Sequence, residues 1–183
     1  MNNIWDLCKL LNNPKKMRLF QSICLAGKQG VSVMALTEEM GESGLGKSGI
    51  SQYLKQMAQL GLVRRDRKGA TVVYFYDVGR ARKEVREVAE MIATRISLGG
   101  DMGFVQALRT LMNPFRAKVA SLIYHKEAGD SGEICKRMMC SSARLYMAMK
   151  LGIEDGIFTY EGGKLALQAS GDVIIQRIIE LVP

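Results

Sequence analysis

Histidine is nearly absent from this chain: His125 is the only one in 183 residues. No Ser/His/Asp or Cys/His catalytic set can be argued from one imidazole, so no catalytic residue is assigned and an enzyme is not expected. The four cysteines, Cys8, Cys24, Cys135 and Cys140, form no CxxC pair. A zinc site needs clustered thiolate or imidazole ligands, and none is offered, so neither metal nor cofactor is expected. The cysteines read as buried, reduced thiols, and a redox role for Cys8 or Cys24 stays open. No apolar run approaches 18 residues, so no membrane span is expected. The opening MNNIWDLCKLLNN lacks a basic segment followed by a long apolar core, so it does not read as a signal peptide. A cytoplasmic location is the default expectation.

Acidic residues are equal in number in the two halves, but basic residues are not. The net charge is +8; residues 1–98 hold 16 Lys and Arg against 9 Asp and Glu, and residues 99–183 hold 10 against 9. Nearly the whole positive excess lies in the first half, which favours an anionic partner there and a different role for the second half. Its focus is Lys47 to Tyr76, KSGISQYLKQMAQLGLVRRDRKGATVVYFY. Ile50, Tyr53, Leu54, Met57 and Leu60 recur at the spacing of one helix face. The other face carries Lys47, Ser51, Gln52, Lys55, Gln56 and Gln59, none of them acidic. Gly61 stops the helix. A strand starting at Leu62-Val63 leads into Arg64, Arg65, Arg67 and Lys68, with Asp66 the lone acid. Lys68-Gly69 turns the chain, and Thr71–Tyr76, β-branched and aromatic throughout, reads as a second strand. A polar, acid-free helix face fits the major groove of duplex DNA. Cationic hairpin residues suit phosphates or the minor groove.

The pattern S-x-x-S-Q-Y-L-K-x-M-x-x-x-G-L-V-R-R-x-R-x-G-x-x-x-x-Y, from Ser48 to Tyr74, resembles the recognition helix and wing of ArsR-type winged-helix repressors. Leu11 to Phe20, LNNPKKMRLF, resembles the family's helix that opens with Asn/Asp-Pro. The likeness covers about residues 4–96. It implies a dimeric DNA-binding protein in which the first helix and a long last helix, here 80–98, form the dimer contact. The family's metal sensors often carry Cys-x-Cys on the helix before the recognition helix. Here that helix reads Ala35-Leu36-Thr37-Glu38-Glu39-Met40, without a thiol, so metal sensing is not expected.

The turn before the recognition helix, Gly41 to Ser48, satisfies G-x-x-x-x-G-K-S, the phosphate-cradling P-loop pattern. A P-loop needs a buried apolar strand running into its first glycine. Thr37-Glu38-Glu39-Met40 is polar and helix-favouring instead. The glycines therefore read as a turn, Lys47 as a phosphate contact near a helix N-terminus, and a P-loop nucleotide hydrolase as remote. Ser32 is expected to cap the helix through Met40 and Gly27–Gly30 to form a loop. Residues 80–98 should bury Val85, Val88, Ala89, Ile92 and Ile96, and Gly99–Gly103 reads as a linker.

The second half repeats the first. Asn113-Pro114 to Ile123 parallels Asn13-Pro14 to Ile23, and Asp155-Gly156-Ile157-Phe158 parallels Leu60-Gly61-Leu62-Val63. Glu161-Gly162-Gly163-Lys164 falls at the second wing turn, which has one Lys and one Glu where the first has four basic residues. The helix matching the recognition helix, 141–152, is rich in methionine and apolar residues: Leu145, Tyr146, Met147, Met149 and Leu151. These read as core. The apolar helix 172–182 exceeds one narrow stripe and is expected to be buried between domains or subunits.

The expected fold is mainly α with small β-hairpin wings (α+β), as tandem winged helix-turn-helix domains. Residues 1–98 form a DNA-binding domain, 99–103 a linker and 104–183 a degenerate domain for assembly or sensing. The expected function is sequence-specific transcriptional regulation on double-stranded DNA. Ser48, Ser51, Gln52 and Lys55 face the bases; Lys47, Arg64, Arg65, Arg67 and Lys68 meet phosphate or the minor groove. The chain acts as a homodimer or as an intramolecular pseudo-dimer. The alternative is a tandem winged-helix protein-interaction module that does not bind DNA.

Overall fold

The structure, a computed structural model, describes residues 4–41, 44–168 and 172–181. The chain is mainly helical, with small antiparallel hairpins, and divides into two compact units between Met102 and Gly103. That boundary falls inside the expected linker.

The first unit runs α1 (Ile4–Leu11), α2 (Pro14–Ala26), β1 (Val31–Ser32), α3 (Val33–Met40), α4 (Lys47–Gln59), β2 (Val63–Lys68), β3 (Thr71–Tyr76) and α5 (Lys83–Ser97). Asn13 starts α2: its Oδ1 accepts from the amides of Lys15 and Lys16 at 3.0 and 3.2 Å, satisfying donors that the first helical turn leaves open. Pro14 follows at the position where a missing N–H costs nothing. Ser32 caps α3 through Ala35 N at 3.1 Å. Helix α4 buries Ile50, Leu54 and Met57 completely, and all five expected residues of α5 are buried. That helix begins at Lys83, three residues later than the apolar pattern implied.

Gly61 ends α4 with φ +75°. Leu62 N donates to Met57 O and Gly61 N to Ala58 O, the paired bonds of a left-handed helix end. A β-carbon at Gly61 would lie 2.7 Å from Ala81 N, so the position excludes any side chain. The β2–β3 hairpin pairs Val63 with Tyr76 through to Lys68 with Thr71, leaving Gly69-Ala70 as a two-residue turn. The expected loop before Ser32 is instead a short 3-10 turn, Gly27–Gln29, followed by β1, which pairs Val31 with Tyr74 and Ser32 with Val73. The sheet order is thus β1-β3-β2. Two residues are too few for strand alternation to register in a sequence.

The second unit repeats this order: α6 (Phe104–Leu111), α7 (Pro114–Tyr124), α8 (Ser131–Met138), α9 (Ser142–Glu154), β4 (Phe158–Glu161), β5 (Lys164–Leu167) and α10 (Val173–Glu180). In place of β1 there is a single bridge, Asp130 to Lys164. Asn113 caps α7 through Phe115 N and Arg116 N at 3.0 and 3.2 Å, the distances found at Asn13. Gly156, φ +70°, ends α9 with Ile157 N on Gly152 O, as Gly61 ends α4. Asp77 N to Leu62 O and Gln168 N to Ile157 O close the two hairpin bases alike. The repetition therefore holds at the level of individual hydrogen bonds.

Two core expectations need correction. In α9, Leu145 and Met149 are buried, but Tyr146 and Met147 are 55% and 69% exposed. The stripe is wider than the face α9 can bury against α6, α7 and α8. In α10, Ile174, Ile175, Ile178 and Ile179 are buried and the helix packs on α6 and α7, while Val173 is exposed; Val182 lies outside the described residues.

Candidate nucleic-acid interface

The interface is built on α4 and the β2–β3 hairpin. The buried positions Ile50, Leu54 and Met57 fix the rotation of α4. On the opposite side Lys47, Ser48, Ser51, Gln52 and Lys55 are all exposed. No acidic residue occupies the first turn of α4, and its N-cap, Gly46, supplies no side-chain bond. Its first amides and the Lys47 ammonium thus form one positive end, with the helix dipole adding to the charge. None of these five side chains is hydrogen-bonded or ion-paired to a described residue. Gln56, on the same polar side, is different. It accepts from Lys16 Nζ at 3.3 Å, and that ammonium also sits 4.7 Å from the Tyr53 ring centre. Burial lowers the Lys16 pKa. Lys16, on α2, is a cation beside α4 that the sequence reading did not assign, because its neighbourhood depends on how α2 packs across α4.

The four basic hairpin residues are exposed but not equivalent. Strand alternation sends Arg64, Asp66 and Lys68 to one face and Arg65 and Arg67 to the other. Arg64 bonds Asp66 Oδ2 through Nη1 at 2.8 Å, and its Nε lies 3.3 Å from Asp77 Oδ2. Its guanidinium also lies 5.0 Å from the Phe75 ring centre. Lys68 Nζ donates to Gln29 O at 2.9 Å and lies 5.1 Å from the same ring. The side chains of Arg65 and Arg67 have no hydrogen bond or ion pair to any described residue. Asp66 accepts from Arg67 N at 2.8 Å. That backbone bond, and then Arg64, hold its carboxyl below the ordinary value, so it stays ionised near neutral pH and offsets part of the Arg64 charge. The free cations of the hairpin are therefore Arg65 and Arg67.

Among the described residues no group of three or more His, Cys, Asp or Glu could hold a metal ion, and no helix is long and apolar enough to cross a membrane. Gly41 follows helix α3, so the strand that a P-loop requires does not precede it; Glu42 and Ser43 of that pattern lie outside the described residues. Comparison with protein-family models, curated proteins and solved structures returned no match.

Proposed function

We propose that this protein is a sequence-specific transcriptional regulator that binds double-stranded DNA. Its first unit acts as a winged helix of the ArsR type, and its second as a degenerate winged helix serving assembly. One juxtaposition carries the reading: the acid-free, exposed face of α4 stands next to a hairpin whose Arg65 and Arg67 side chains lack partners among the described residues. In this reading α4 lies in the major groove, where Ser48, Ser51, Gln52 and Lys55 meet base edges and Lys47 meets a phosphate. Arg65 and Arg67 neutralise phosphate or enter the minor groove. Arg64 and Lys68, already held by the protein, shape the hairpin and contribute less. Two chains pair with their α4 helices about 34–36 Å apart, one duplex turn.

The test is selection of bound duplexes from a random library, repeated with Gln52→Ala. A recurring motif that loses preference at one base pair in the variant, by about 1–3 kcal/mol, supports base reading by α4. Random recovered sequences at every stage count against it.

The second reading is a tandem winged-helix interaction module that does not bind DNA. It draws on the second unit, where Tyr146 and Tyr160 meet edge-on at 6.5 Å and are both exposed, as is Met147. Purification with a protein partner and no retention on DNA supports this reading over the first.

A further inference from the structure

The turn between α8 and α9 contains a second unusual pairing, unrelated to the DNA face. Helix α8 ends in a residue with positive φ, Met139 at +49°, where a glycine is usual. The two bonds of the left-handed helix end are present: Cys140 N to Cys135 O at 3.0 Å and Met139 N to Lys136 O at 3.3 Å. In such an end the side chains that flank the long bond touch, normally as an apolar contact. The same bond pattern elsewhere in this chain joins Met57 with Leu62, Arg95 with Gly100, Leu122 with Glu127 and Gly152 with Ile157. At α8 the two residues so joined are both cysteines.

The long bond also limits their separation. A donor–acceptor distance of 3.0 Å with standard bond lengths on either side allows the two α-carbons about 7 Å at full extension, and less at real bond angles. Disulfides span about 4.4–6.8 Å. Both cysteines are free and half-buried, and Met139 between them is 90% exposed, so small reagents reach the turn. Cys135 Sγ lies 3.9 Å from Ser142 Oγ, and Arg144 acts electrostatically on Cys140. Cys8 and Cys24 differ: burial pushes both thiols up to about 12.

We propose that Cys135 and Cys140 form a reversible oxidation site, closing an intrachain disulfide across the α8–α9 turn when the chain meets a low-molecular-mass disulfide such as oxidised glutathione. One thiolate attacks the reagent, forms a mixed disulfide and releases one reduced thiol. The second thiolate attacks the protein sulfur of that mixed disulfide, forms the Cys135–Cys140 bond and releases the second reduced thiol. Two protein thiols lose two protons and two electrons, and one reagent disulfide becomes two thiols. Because the backbone bond already holds the two residues side by side, the second step outruns attack by a further reagent molecule. The bond pins Met139 in its left-handed conformation and ties the end of α8 to the start of α9.

The test uses the full chain in an oxidised-to-reduced glutathione series at mildly alkaline pH, since burial and the Cys135 contact raise the Cys140 pKa. Acid quench, denaturation and digestion with trypsin without reductant follow. Trypsin cleaves at Lys136 and Arg137, between the two cysteines. The disulfide therefore links peptide 127–136 to peptide 138–144, and the reduced chain yields them separately. The expected result is the linked pair as the main oxidised product, lost on reduction and replaced by a glutathione adduct on Cys140 in Cys135→Ser. Stable adducts on Cys135 and Cys140 with no linked pair overturn the proposal. So do linked peptides of mixed isotopic origin after labelled and unlabelled chains are oxidised together, because the bond is then between chains.

Discussion

The division of the hairpin into free and held cations predicts opposite effects from two variants. Each phosphate neutralised on B-DNA contributes a slope of about −0.9 to the dependence of log affinity on log salt. The Arg65 and Arg67 side chains have no described partners, so Arg65→Ala/Arg67→Ala removes two full contacts and flattens the slope by about 1.8. Over a fourfold rise in salt, about 50 to 200 mM, the native chain then loses about 12-fold more affinity than the variant. Asp66→Asn does the reverse. It removes the acid 2.8 Å from Arg64 Nη1 while keeping an oxygen to accept from Arg67 N. With one of its two carboxylate partners gone and Asp77 remaining at 3.3 Å, Arg64 becomes partly available, so the slope steepens by less than about 0.9 and binding tightens at low salt. Fluorescence anisotropy on a labelled duplex at five salt concentrations measures both. All the altered residues are exposed, so unfolding midpoints should barely move. An unchanged slope in the double variant, with the fold intact, refutes the assignment of these arginines to DNA.

Other expectations concern the fold. Gly61→Ala places a methyl 2.7 Å from Ala81 N at φ +75°, at a cost of about 2–4 kcal/mol. Gly69→Ala, at φ +61° with open space around it, costs about 1 kcal/mol; equal urea midpoints for the two variants contradict the close contact. Asn13→Ala and Asn113→Ala each remove one side-chain cap with near-identical geometry, so each should cost its unit about 1 kcal/mol, seen as matching shifts in the two units' unfolding. Cys8 and Cys24, with thiols near 12, hold a thiolate fraction of about 0.0001 at pH 8. Iodoacetamide should therefore modify Cys135 and Cys140 first in the native chain, and equal labelling of all four contradicts their burial. Because both folded-state values are raised, the stability these two thiols support is complete below pH 9 and is lost as pH rises towards about 12.

Legibility in the sequence followed the length and regularity of each signal. The five-residue stripe of α5 and the inward face of α4 were readable because long helices declare their period, and every stripe residue of α5 is buried. The two Asn-Pro starts were readable because capping is local chemistry, and they proved alike in detail. Strand β1 was not, since two residues carry no period. The split of the hairpin cations was implicit in strand alternation, but the Asp77 and Gln29 partners come from elsewhere in the unit. The meeting of Cys135 and Cys140 requires Met139 in a conformation that sequence rules reserve for glycine. The exposure of Tyr146 and Met147 turns on how much of α9 its neighbours cover, which no pattern within α9 encodes.

The most direct test of the central claim is an anisotropy titration of the native chain against random duplex and against the DNA upstream of its own coding sequence, at low and near-physiological salt. The account predicts binding to the upstream duplex that is tighter than to random duplex by about 1,000-fold or more and weakens steeply with salt. Absent or equally weak binding to both duplexes at low salt would contradict it and leave the exposed α4 face and the hairpin arginines as solvated surface.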